Sequence, residues 1–397
     1  MARTDQQGVL AGLSRNTVLL ALASLFADVA TEMLYPVLPI YLTQTLRAGG
    51  QAVGLIEGVA EGTQNVVQGF AGSLSDRLQR RKPIALAGYA VAALAKPLIG
   101  VSAAWPGVLG ARFADRLGTG VRSAPRDALV AASADAAHRG KAFGLEGAGD
   151  NAGAFLGPLL AILLLVGLGL DLRWAFYLAV IPGLLAFLMI LLVEERPVSA
   201  SAKAKLEAGV GRFPRRYRAY RAATAVFGLG NSSNAFLILQ TKALGASLTL
   251  TILIYAGFNL ISALVSYPAG ALSDRVGRRN LVVASMAVFF VSYLGFALTR
   301  NVVLIGLLFA LYGVYQGVFR AVGKALASDL SPDPLRASGV GWYGATIGLS
   351  GLVASAAAGR LWDRVSHAAV FGYGAAAALL GAAALLLWVR PQAQAGR

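Results

Sequence analysis

Long apolar runs, separated by short polar connections, make up almost the whole chain. A helix that crosses a bilayer needs about 20 mostly apolar residues, and twelve segments reach that length. Many of them contain glycine and proline, which membrane-spanning helices tolerate. The pattern predicts an all-α membrane protein with twelve transmembrane helices. The predicted spans cover residues 16–44, 51–73, 83–103, 105–122, 141–167, 173–193, 220–242, 247–272, 280–299, 301–323, 337–360 and 367–389.

One polar connection is much longer than the others. It runs from Glu194 to Arg218 and separates six predicted spans from six. We therefore expect an N-terminal six-helix half over residues 1–193, a cytoplasmic linker over 194–219 and a C-terminal six-helix half over 220–397.

Composition supports this class and narrows the chemistry. The chain is 57% hydrophobic and 14% charged, whereas about a quarter of the residues of a soluble domain are charged. It has no cysteine, which excludes disulfides, thiolate metal sites and thiol nucleophiles. His138 and His367 fall in polar connections and cannot form a metal cluster. A nucleotide-binding Walker sequence is also missing, which excludes ATP as the energy source. Because no nucleophile or metal constellation is present either, we expect no cofactor, no metal and no enzymatic activity.

The net charge of +16 raises the alternative of nucleic-acid binding. If the N-terminus is cytoplasmic, however, most Lys and Arg residues fall on the cytoplasmic side, as the positive-inside rule describes. The sequence therefore predicts a multi-pass protein of the plasma (inner) membrane, with both termini cytoplasmic and no nucleic-acid partner. The basic residues outside this pattern are Arg47, Arg173, Lys242, Arg300, Arg360 and Arg364 in outer connections, and Lys96, Arg112 and Arg116 inside spans.

Two similar segments point to an internal repeat. The segment AGSLSDRLQRRKP begins at residue 71, and AGALSDRVGRRN begins 198 residues later. The same displacement carries Arg122 onto Arg320 and Arg126 onto Lys324. Because 198 residues is about half the chain, we infer a tandem duplication of a six-span unit.

Charges inside the spans do not follow this repeat. The displacement of 198 residues carries Asp28 onto Val226 and Arg112 onto Ala310, and no Asp or Glu lies between Arg221 and Ser273. A charge at the centre of a membrane helix costs about 2.5–3.5 kcal/mol on insertion scales. Charges that are kept at such a cost, in one half only, indicate function in the N-terminal half.

Most of these charges form i,i+4 pairs, which lie on one helix face: Asp28 with Glu32, Glu57 with Glu61, Arg112 with Arg116, and Glu146 with Asp150. We expect the four faces to line one polar cavity, the alternative being a salt-bridge network that fixes helix register. Lys96 could belong to either. The polar residues 231–234 of span seven could bind ligand or pack helices. The candidate cavity residues are Asp28, Glu32, Glu57, Glu61, Arg112, Asp115, Arg116, Glu146, Asp150 and Asn151.

The repeated loop resembles a signature of the major facilitator superfamily of secondary transporters. Residues 72–81 resemble the loop between that family's second and third spans, and residues 270–279 resemble its second copy. The first copy has Gln79 where glycine is usual. The resemblance implies the MFS fold and a gating role for Gly72, Asp76, Arg77, Arg80, Arg81, Gly270, Asp274, Arg275, Arg278 and Arg279.

Two further segments resemble motifs of the same family. Residues 115–122, DRLGTGVR, are similar to its fourth-span motif, and the resemblance implies that Arg116 takes part in proton coupling. Arg112, one turn earlier, is a competitor for that role. Residues 153–158, GAFLGP, are similar to a glycine-rich motif of its proton-coupled exporters. The helix-packing candidates in it are Gly153, Gly157 and Pro158.

Together these features predict a secondary active transporter that exports a small solute in exchange for protons by alternating access. Asp28, with Glu32 and Asp150, would carry the proton, and Asp28 would pair with Arg112. Import of an anionic or zwitterionic solute with protons, clamped by Arg112 and Arg116, is the alternative. A membrane-embedded enzyme or sensor is the other class considered. The expected partners are the solute, protons and the lipid bilayer, with a monomer as the functional unit.

Overall fold

A computed structural model of the chain describes residues 13–78, 80–134, 138–195, 213–332 and 335–389, with the backbone alone for 72–78, 139, 140 and 337. These residues form α-helices, two π-helical turns and short connections, with no strand in the parts described. We refer to residues 13–195 as the first half and to 213–389 as the second half. Most of the predicted linker lies outside the described residues.

The helices cover the twelve predicted spans in order, with spans one, six and seven each divided into two helices, and confirm the fold of twelve transmembrane spans. Those of the first half are α1 Arg15–Glu32, α2 Leu38–Ile40, α3 Gly50–Leu78, α4 Arg81–Val101, α5 Trp105–Ala132, α6 Arg139–Ile162, α7 Leu172–Leu178 and α8 Val180–Leu192, with π-helical turns at Tyr41–Thr45 and Leu163–Gly167. Those of the second half are α9 Arg215–Gly228, α10 Ala235–Ala243, α11 Leu248–Val276, α12 Arg278–Leu298, α13 Val302–Asp329, α14 Arg336–Arg364 and α15 His367–Trp388.

Eight helical stretches of the described chain are long and apolar enough to cross a membrane by composition alone, among them α4, α11 and α15. Three of the remaining helices, α1, α3 and α5, carry most of the charged residues singled out above, whereas Lys96 lies on α4 and Glu146 and Asp150 lie on α6. The protein is therefore a multi-pass membrane protein in which charge is concentrated on a minority of the helices.

Two spans expected as continuous helices are interrupted over five or more residues, whereas span six is divided only at Ala179. Span one breaks between Glu32 and Leu38, where the ring of Pro36 removes a backbone donor from the helix. Span seven breaks between Gly228 and Ala235, over the polar residues 231–234. There the backbone N–H of Ser233 donates to Oγ of Ser355 at 3.0 Å. Irregular backbone at this depth is stable only where protein groups satisfy it.

The structural repeat runs at two displacements rather than one. Helix α11 follows α3 by 198 residues, but α12, α13 and α14 each begin 197 residues after α4, α5 and α6. The α3–α4 connection has two residues, whereas Gly277 alone joins α11 to α12. Gly277 has a φ of +90°, a backbone conformation that glycine adopts readily and other residues rarely do, so this one-residue turn favours glycine.

Matching contacts support the 197-residue displacement. Nη1 of Arg81 donates to the carbonyl of Ala128 at 3.3 Å, and Nη1 of Arg278 donates to that of Ala325 at 3.1 Å. A Cβ on Gly120 would meet the carbonyl of Gln64 in α3, as one on Gly317 would meet that of Ser262 in α11.

The predicted matches of Arg122 with Arg320 and of Arg126 with Lys324 are therefore wrong. One residue turns a helix by about 100°, so Arg320 lies on a different face from the true equivalent, Phe319. The corrected register places aromatic residues where the first half has buried charges. The pairs are Glu57 with Tyr255, Lys96 with Tyr293, Asp115 with Tyr312 and Glu146 with Tyr343.

The two halves contact each other along α3 and α14, but only over part of their length. We call the side of the molecule that holds the α3–α4 and α11–α12 connections the basic side. Toward the opposite side, a Cβ on Gly359 would lie 2.5 Å from the carbonyl of Gly50, and one on Gly58 would lie 3.0 Å from that of Leu352. Small residues permit this close backbone approach.

Toward the basic side the same helix faces separate. Gly69 lies two turns beyond Gly62 on α3, and Gly341 lies two turns before Gly348 on α14. Among the described atoms, a Cβ at Gly69 or Gly341 would have no neighbour within 4 Å, whereas at Gly62 and Gly348 it would touch the other half. The structure is closed on the opposite side and open on the basic side.

Candidate functional site

A buried ion network joins α3, α4 and α5. The guanidinium of Arg112 donates to both carboxylate oxygens of Glu57, at 3.0 and 3.3 Å, and to Asp115 at 3.0 Å. The ammonium of Lys96 donates to the other oxygen of Asp115 at 2.7 Å. All four residues are at most 2% exposed. Charges this deeply buried are tolerable because each has a hydrogen-bonded partner of opposite sign.

Arg116 extends the network toward α3. Its Nε lies 3.6 Å from Asp115, and its Nη1 donates to the side-chain oxygen of Gln64 at 3.1 Å. Glu61, one turn from Glu57, interacts electrostatically with both arginines. A Cβ on Gly351 of the second half would lie 3.5 Å from Glu61, so this carboxyl faces the space between the halves.

The expected pair of Asp28 with Arg112 is wrong, because Arg112 binds Glu57 and Asp115 instead. Spacing along each helix defined the charged faces, but it did not define how the helices turn toward one another. Lys96, which the sequence left ambiguous, is a paired charge.

Glu32 connects the two halves. Its carboxylate accepts hydrogen bonds from the hydroxyl of Tyr255 at 2.8 Å and from the amide of Asn259 at 3.3 Å, both on α11. Asn259 also donates to the carbonyl of Ala154 on α6 at 3.1 Å. Tyr255 and Asn259 are not among the candidate cavity residues predicted from the sequence. A signal was present, since the 198-residue displacement carries Glu57 and Glu61 onto these positions.

Tyr35 strengthens the same contact. Its ring stacks on Tyr255 with a centroid distance of 5.4 Å, and its hydroxyl lies 3.1 Å from Oγ of Ser233. The guanidinium carbon of Arg112 lies over the Tyr35 ring, 5.7 Å from its centroid. The ion network and the contact between the halves are therefore adjacent.

A second cluster lies nearer the basic side, where α1, α5 and α6 meet. Arg126 contacts Glu146 at 3.1 Å, Asp127 at 2.8 Å and Asp150 at 3.9 Å. Ser24 donates to Glu146 at 2.7 Å. The candidate charges thus form two clusters rather than one continuous lining.

Asp28 lies between these clusters. Its carboxyl interacts electrostatically with the carboxyls of Asp150 on α6 and Glu32 on its own helix, and with the guanidinium of Arg122 on α5. Arg122 lies over the ring of Tyr89, with 4.4 Å between the guanidinium carbon and the centroid. Asn151 is exposed, and the structure does not bring it into either cluster.

The second half presents aromatic and amide groups where the first presents charge. Tyr312 donates to the side-chain oxygen of Asn234 at 2.8 Å, and the amide of Asn231 donates to Tyr315 at 3.0 Å. Tyr293 and Tyr312 lie 5.9 Å apart between ring centroids, at the positions equivalent to Lys96 and Asp115. The second half therefore buries aromatic and amide groups at positions where the first half buries an ion network.

The gating candidates are described in part. The side chains of Gly72, Asp76 and Arg77 lie outside the described residues, and Arg80 is exposed. In the second copy, Arg278 contacts Asp329 at 2.8 Å and Asp274 at 3.4 Å, which joins α11, α12 and α13. The backbone N–H of Arg81 donates to Glu195 at 2.6 Å, and the side chain of Arg279 donates to the carbonyl of Leu386 at 2.8 Å. Arg275 is exposed. A Cβ on Gly270 would have no described neighbour within 4 Å.

The glycine-rich segment of α6 packs against α1. A Cβ on Gly153 would lie 2.5 Å from the carbonyl of Leu25, and one on Gly157 would lie 2.8 Å from the backbone nitrogen of Met33. Pro158 is buried beside them within α6. The close packing holds Asp28 against α6.

Two known proteins resemble this chain in sequence over most of its length. The chain is 32% identical over 380 residues to an uncharacterized MFS-type transporter of Methanocaldococcus jannaschii, a match that covers 94% of this chain and 95% of the relative. It is 30% identical over 301 residues to a probable 4-methylmuconolactone transporter of Cupriavidus pinatubonensis, covering 71% and 69% of the two chains.

The fold comparison agrees. The crystal structure of the nucleoside transporter NupG superposes with a TM-score of 0.79 at 14% identity, over 96% of this chain and all of the other. The sequence profile of the Major Facilitator Superfamily matches residues 20–230 and 222–397. With helices in all twelve predicted spans and two segments that match the family profile, the chain belongs to the Major Facilitator Superfamily of membrane transporters.

Proposed function

We propose that the protein is a secondary active transporter that exports a small solute in exchange for protons by alternating access. The observation that supports this most is Glu32, a carboxylate of the first half held by Tyr255 and Asn259 of the second. A carboxylate accepts such hydrogen bonds more strongly than a neutral carboxyl does. Protonation of Glu32, or its capture by a solute, would therefore weaken the link between the halves.

The conformation of the molecule, open on one side only, is one that an alternating-access cycle requires. The halves touch on the opposite side and separate on the basic side, as a carrier does when it is open to one compartment. We propose that the basic side is cytoplasmic, in the plasma membrane, because positively charged connections are retained there. Residues 1–193 and 220–397 would be the rocking units, with 194–219 as their linker and the monomer as the functional unit.

Import of an anionic solute is less well supported by the geometry. That alternative uses Arg112 and Arg116 as an anion clamp. Arg112, however, is 1% exposed and binds two carboxylates, and Arg116 is 8% exposed and contacts Asp115 and Gln64. A solute would have to break those ion pairs in order to bind. Exchange for protons needs no such rearrangement, because carboxyls on the space between the halves can take up and release the proton themselves.

The test is transport by purified protein in proteoliposomes. A panel of labelled organic anions, cations and neutral solutes is offered with and without an imposed pH gradient, and flux is followed together with internal pH. We expect a solute to accumulate only when the gradient is imposed, with a matching proton movement in the opposite direction. Solute accumulation that is indifferent to the gradient would refute proton exchange.

Asp28→Asn is expected to abolish accumulation driven by the pH gradient while solute exchange at equal pH persists. Asparagine keeps the size of the side chain but cannot carry the proton. Asp171→Asn is the matched control, because Asp171 only accepts from the backbone N–H of Arg173 at 2.9 Å. A variant that still concentrates solute on a pH gradient alone would remove Asp28 from the coupling mechanism.

Asp363→Asn is expected to shift the carrier away from the state closed on the opposite side. The Asp363 carboxylate at the end of α14 accepts from the backbone N–H groups of Gly50 and Gln51, at 2.7 and 2.8 Å. Loss of a charge at a helix N-terminus costs about 1 kcal/mol, or roughly a fivefold change in the population ratio.

The measurement uses spin labels on Gly69→Cys and Gly341→Cys, a pair free of background because the chain has no cysteine. These labels lie across the gap on the basic side, so their distance should shorten as Asp363→Asn populates the other state. Asp171→Asn removes a comparable cap within one half and should leave the distance unchanged. An equal shift in both variants would mean that the contact of Asp363 does not govern closure.

A further inference from the structure

Arg221 on α9 is held in place by two residues of α14. Its Nε donates to the hydroxyl oxygen of Thr346 at 3.0 Å, and Thr346 donates its own proton to the carbonyl of Trp342 at 2.8 Å. The guanidinium carbon lies over the Trp342 ring, 5.2 Å from its centroid, which is within the range of a cation–π contact. One hydrogen bond and one aromatic ring therefore fix the plane of this guanidinium.

The Nη groups of Arg221 remain free. Within the described chain, the bond to Thr346 is the only hydrogen bond of this side chain, and it forms no ion pair. The residue is half-buried, and its Nη atoms are not enclosed by protein. By contrast, Arg112, Arg116 and Arg126 each pair with a carboxylate. A guanidinium whose plane is fixed and whose Nη groups are free can bind two oxygens of one phosphate.

The face of α14 that carries Trp342 is directed away from the first half. Gly351 lies on the face that meets α3, since a Cβ there would lie 3.5 Å from Glu61. At about 100° per residue, Trp342, Leu349 and Val353 lie about 160–200° around the helix from Gly351. They are 38%, 55% and 48% exposed. In a protein that crosses a membrane, such an exposed apolar stripe contacts lipid.

The cluster lies near the membrane surface on the basic side. Arg221 is six residues from the start of α9 and Trp342 is six residues from the start of α14, or about 9 Å along each helix. Tryptophan is enriched at this depth because its ring is apolar and its N–H is polar. Arg218, one turn before Arg221, is exposed on the same face of α9. The positive charge therefore extends from the fixed guanidinium toward the headgroup layer.

We propose that Arg221, Trp342 and Thr346 form a binding site for the phosphate of an anionic phospholipid in the leaflet on the basic side. The site is separate from the space between the halves and does not depend on the transport function proposed above. The Nη groups of Arg221 donate to the phosphate oxygens, and Arg218 adds a second cation. Thr346 is a positioning residue, because it orients Arg221 rather than contacting the lipid.

The apolar stripe favours a lipid over a soluble phosphate. Below the phosphate, the Trp342 ring packs against the glycerol region, and an acyl chain continues along Leu349 and Val353. A phosphate ion in solution would use the guanidinium alone and would leave these apolar side chains without a partner. Basic pockets between membrane helices, on the side of the positively charged loops, bind anionic headgroups through this combination of contacts.

The first half lacks this cluster, so the fold does not require it. The 197-residue displacement carries Trp342 onto Leu145 and Thr346 onto Gly149. A Cβ on Gly149 would collide with the carbonyl of Ala21, so the equivalent helices α1 and α6 pack directly against each other. Small residues are therefore sufficient to join this pair of helices. The arginine and tryptophan of the second half serve a further purpose.

The experiment measures quenching of tryptophan fluorescence in the purified full chain in neutral detergent. Phosphatidylglycerol with brominated acyl chains is added, and phosphatidylcholine with the same chains is added in parallel. The difference from Trp342→Phe gives the part of the signal that belongs to Trp342. We expect the anionic lipid to quench this part at a concentration about tenfold lower than the zwitterionic lipid does. An equal response to both lipids would overturn the proposal.

Arg221→Gln should remove most of this selectivity, because an amide does not replace a charged fork. Arg221→Lys keeps the charge but neither the fork nor its stacking plane, and should also lose most of the selectivity. Full selectivity in Arg221→Lys would mean that diffuse charge attracts the lipid, and would overturn the site. Arg320→Gln is the matched control, because it removes an exposed cation of α13 and should leave selectivity unchanged. An equal loss in this control would also count against the site.

Thr346→Val tests the arrangement without changing any charge. Valine keeps the shape of threonine but removes the oxygen that Nε of Arg221 binds. Selectivity should fall about threefold or more, which corresponds roughly to one hydrogen bond. This variant also covers the case in which Arg221→Gln does not fold. Unchanged selectivity in Thr346→Val would contradict the role of a fixed guanidinium.

Inorganic phosphate distinguishes the two sources of the phosphate group. Added at millimolar concentration, it should reduce quenching by phosphatidylglycerol no more than chloride does at the same ionic strength. Displacement of the lipid beyond the chloride control would assign the site to a soluble anion and would overturn the lipid proposal.

Discussion

Replacing Arg112 by methionine should lower the free energy of unfolding by about 3–5 kcal/mol, because it leaves the Glu57 carboxylate buried without a cation. Asp115 would retain Lys96 at 2.7 Å and Arg116 at 3.6 Å, so the loss is concentrated at Glu57. Unfolding of the purified protein by a denaturing detergent measures the change. Glu57→Met should be costly for the reciprocal reason.

The double variant Glu57→Met/Arg112→Met separates charge pairing from simple packing. Removing both charges leaves no uncompensated ion, and paired buried charges can often be replaced by apolar residues with little loss. The double variant should therefore be more stable than Arg112→Met alone. Strictly additive losses would show that Glu57 and Arg112 do not depend on each other.

Gly54→Leu should reduce transport more than tenfold by preventing closure on the opposite side. A Cβ on Gly54 would collide with the backbone carbonyl of Ser355, which cannot move aside as a side chain can. The variant is expected to fold into the state open on the opposite side. The spin labels at Gly69→Cys and Gly341→Cys should accordingly report a shorter distance.

Gly110→Leu is the control for this substitution. Gly110 lies on α5, is exposed, and a Cβ there would meet no atom within 4 Å. It should leave both transport and label distance unchanged. Normal transport in Gly54→Leu would mean that close contact of α3 and α14 is not required in the cycle.

The sequence predicted the twelve spans because a helix that crosses the bilayer requires a long, mostly apolar stretch of its own. It missed the interruptions of spans one and seven, since hydropathy does not distinguish a broken helix from a continuous one. Pro36 was the visible sign of the first break, and the polar residues 231–234 were the sign of the second. The one-residue difference between the α3–α4 and α11–α12 connections also escaped a repeat search with a single displacement.

The sequence correctly predicted that buried charged side chains would pair with charges of opposite sign. It did not determine which residues would form the pairs. An i,i+4 spacing fixes the shared face of Glu57 and Glu61 on one helix. It does not fix the rotation of α3 relative to α5, which decides that Glu57 meets Arg112. Glu32 is a stronger case, because its partners lie on α11, more than two hundred residues away. Such contacts depend on how the two halves dock.

The uneven distribution of charge has a consequence for biogenesis. Helices α1, α3 and α5 are not among the eight that are apolar enough to span a membrane by composition alone, yet they are synthesised early. A charged helix inserts at a cost of a few kcal/mol per charge unless a partner neutralises it. Asp115 on α5 needs Lys96 on α4, and Glu57 on α3 needs Arg112 on α5. We therefore expect α3, α4 and α5 to enter the bilayer as an assembled group, whereas α11 to α15 can enter one at a time.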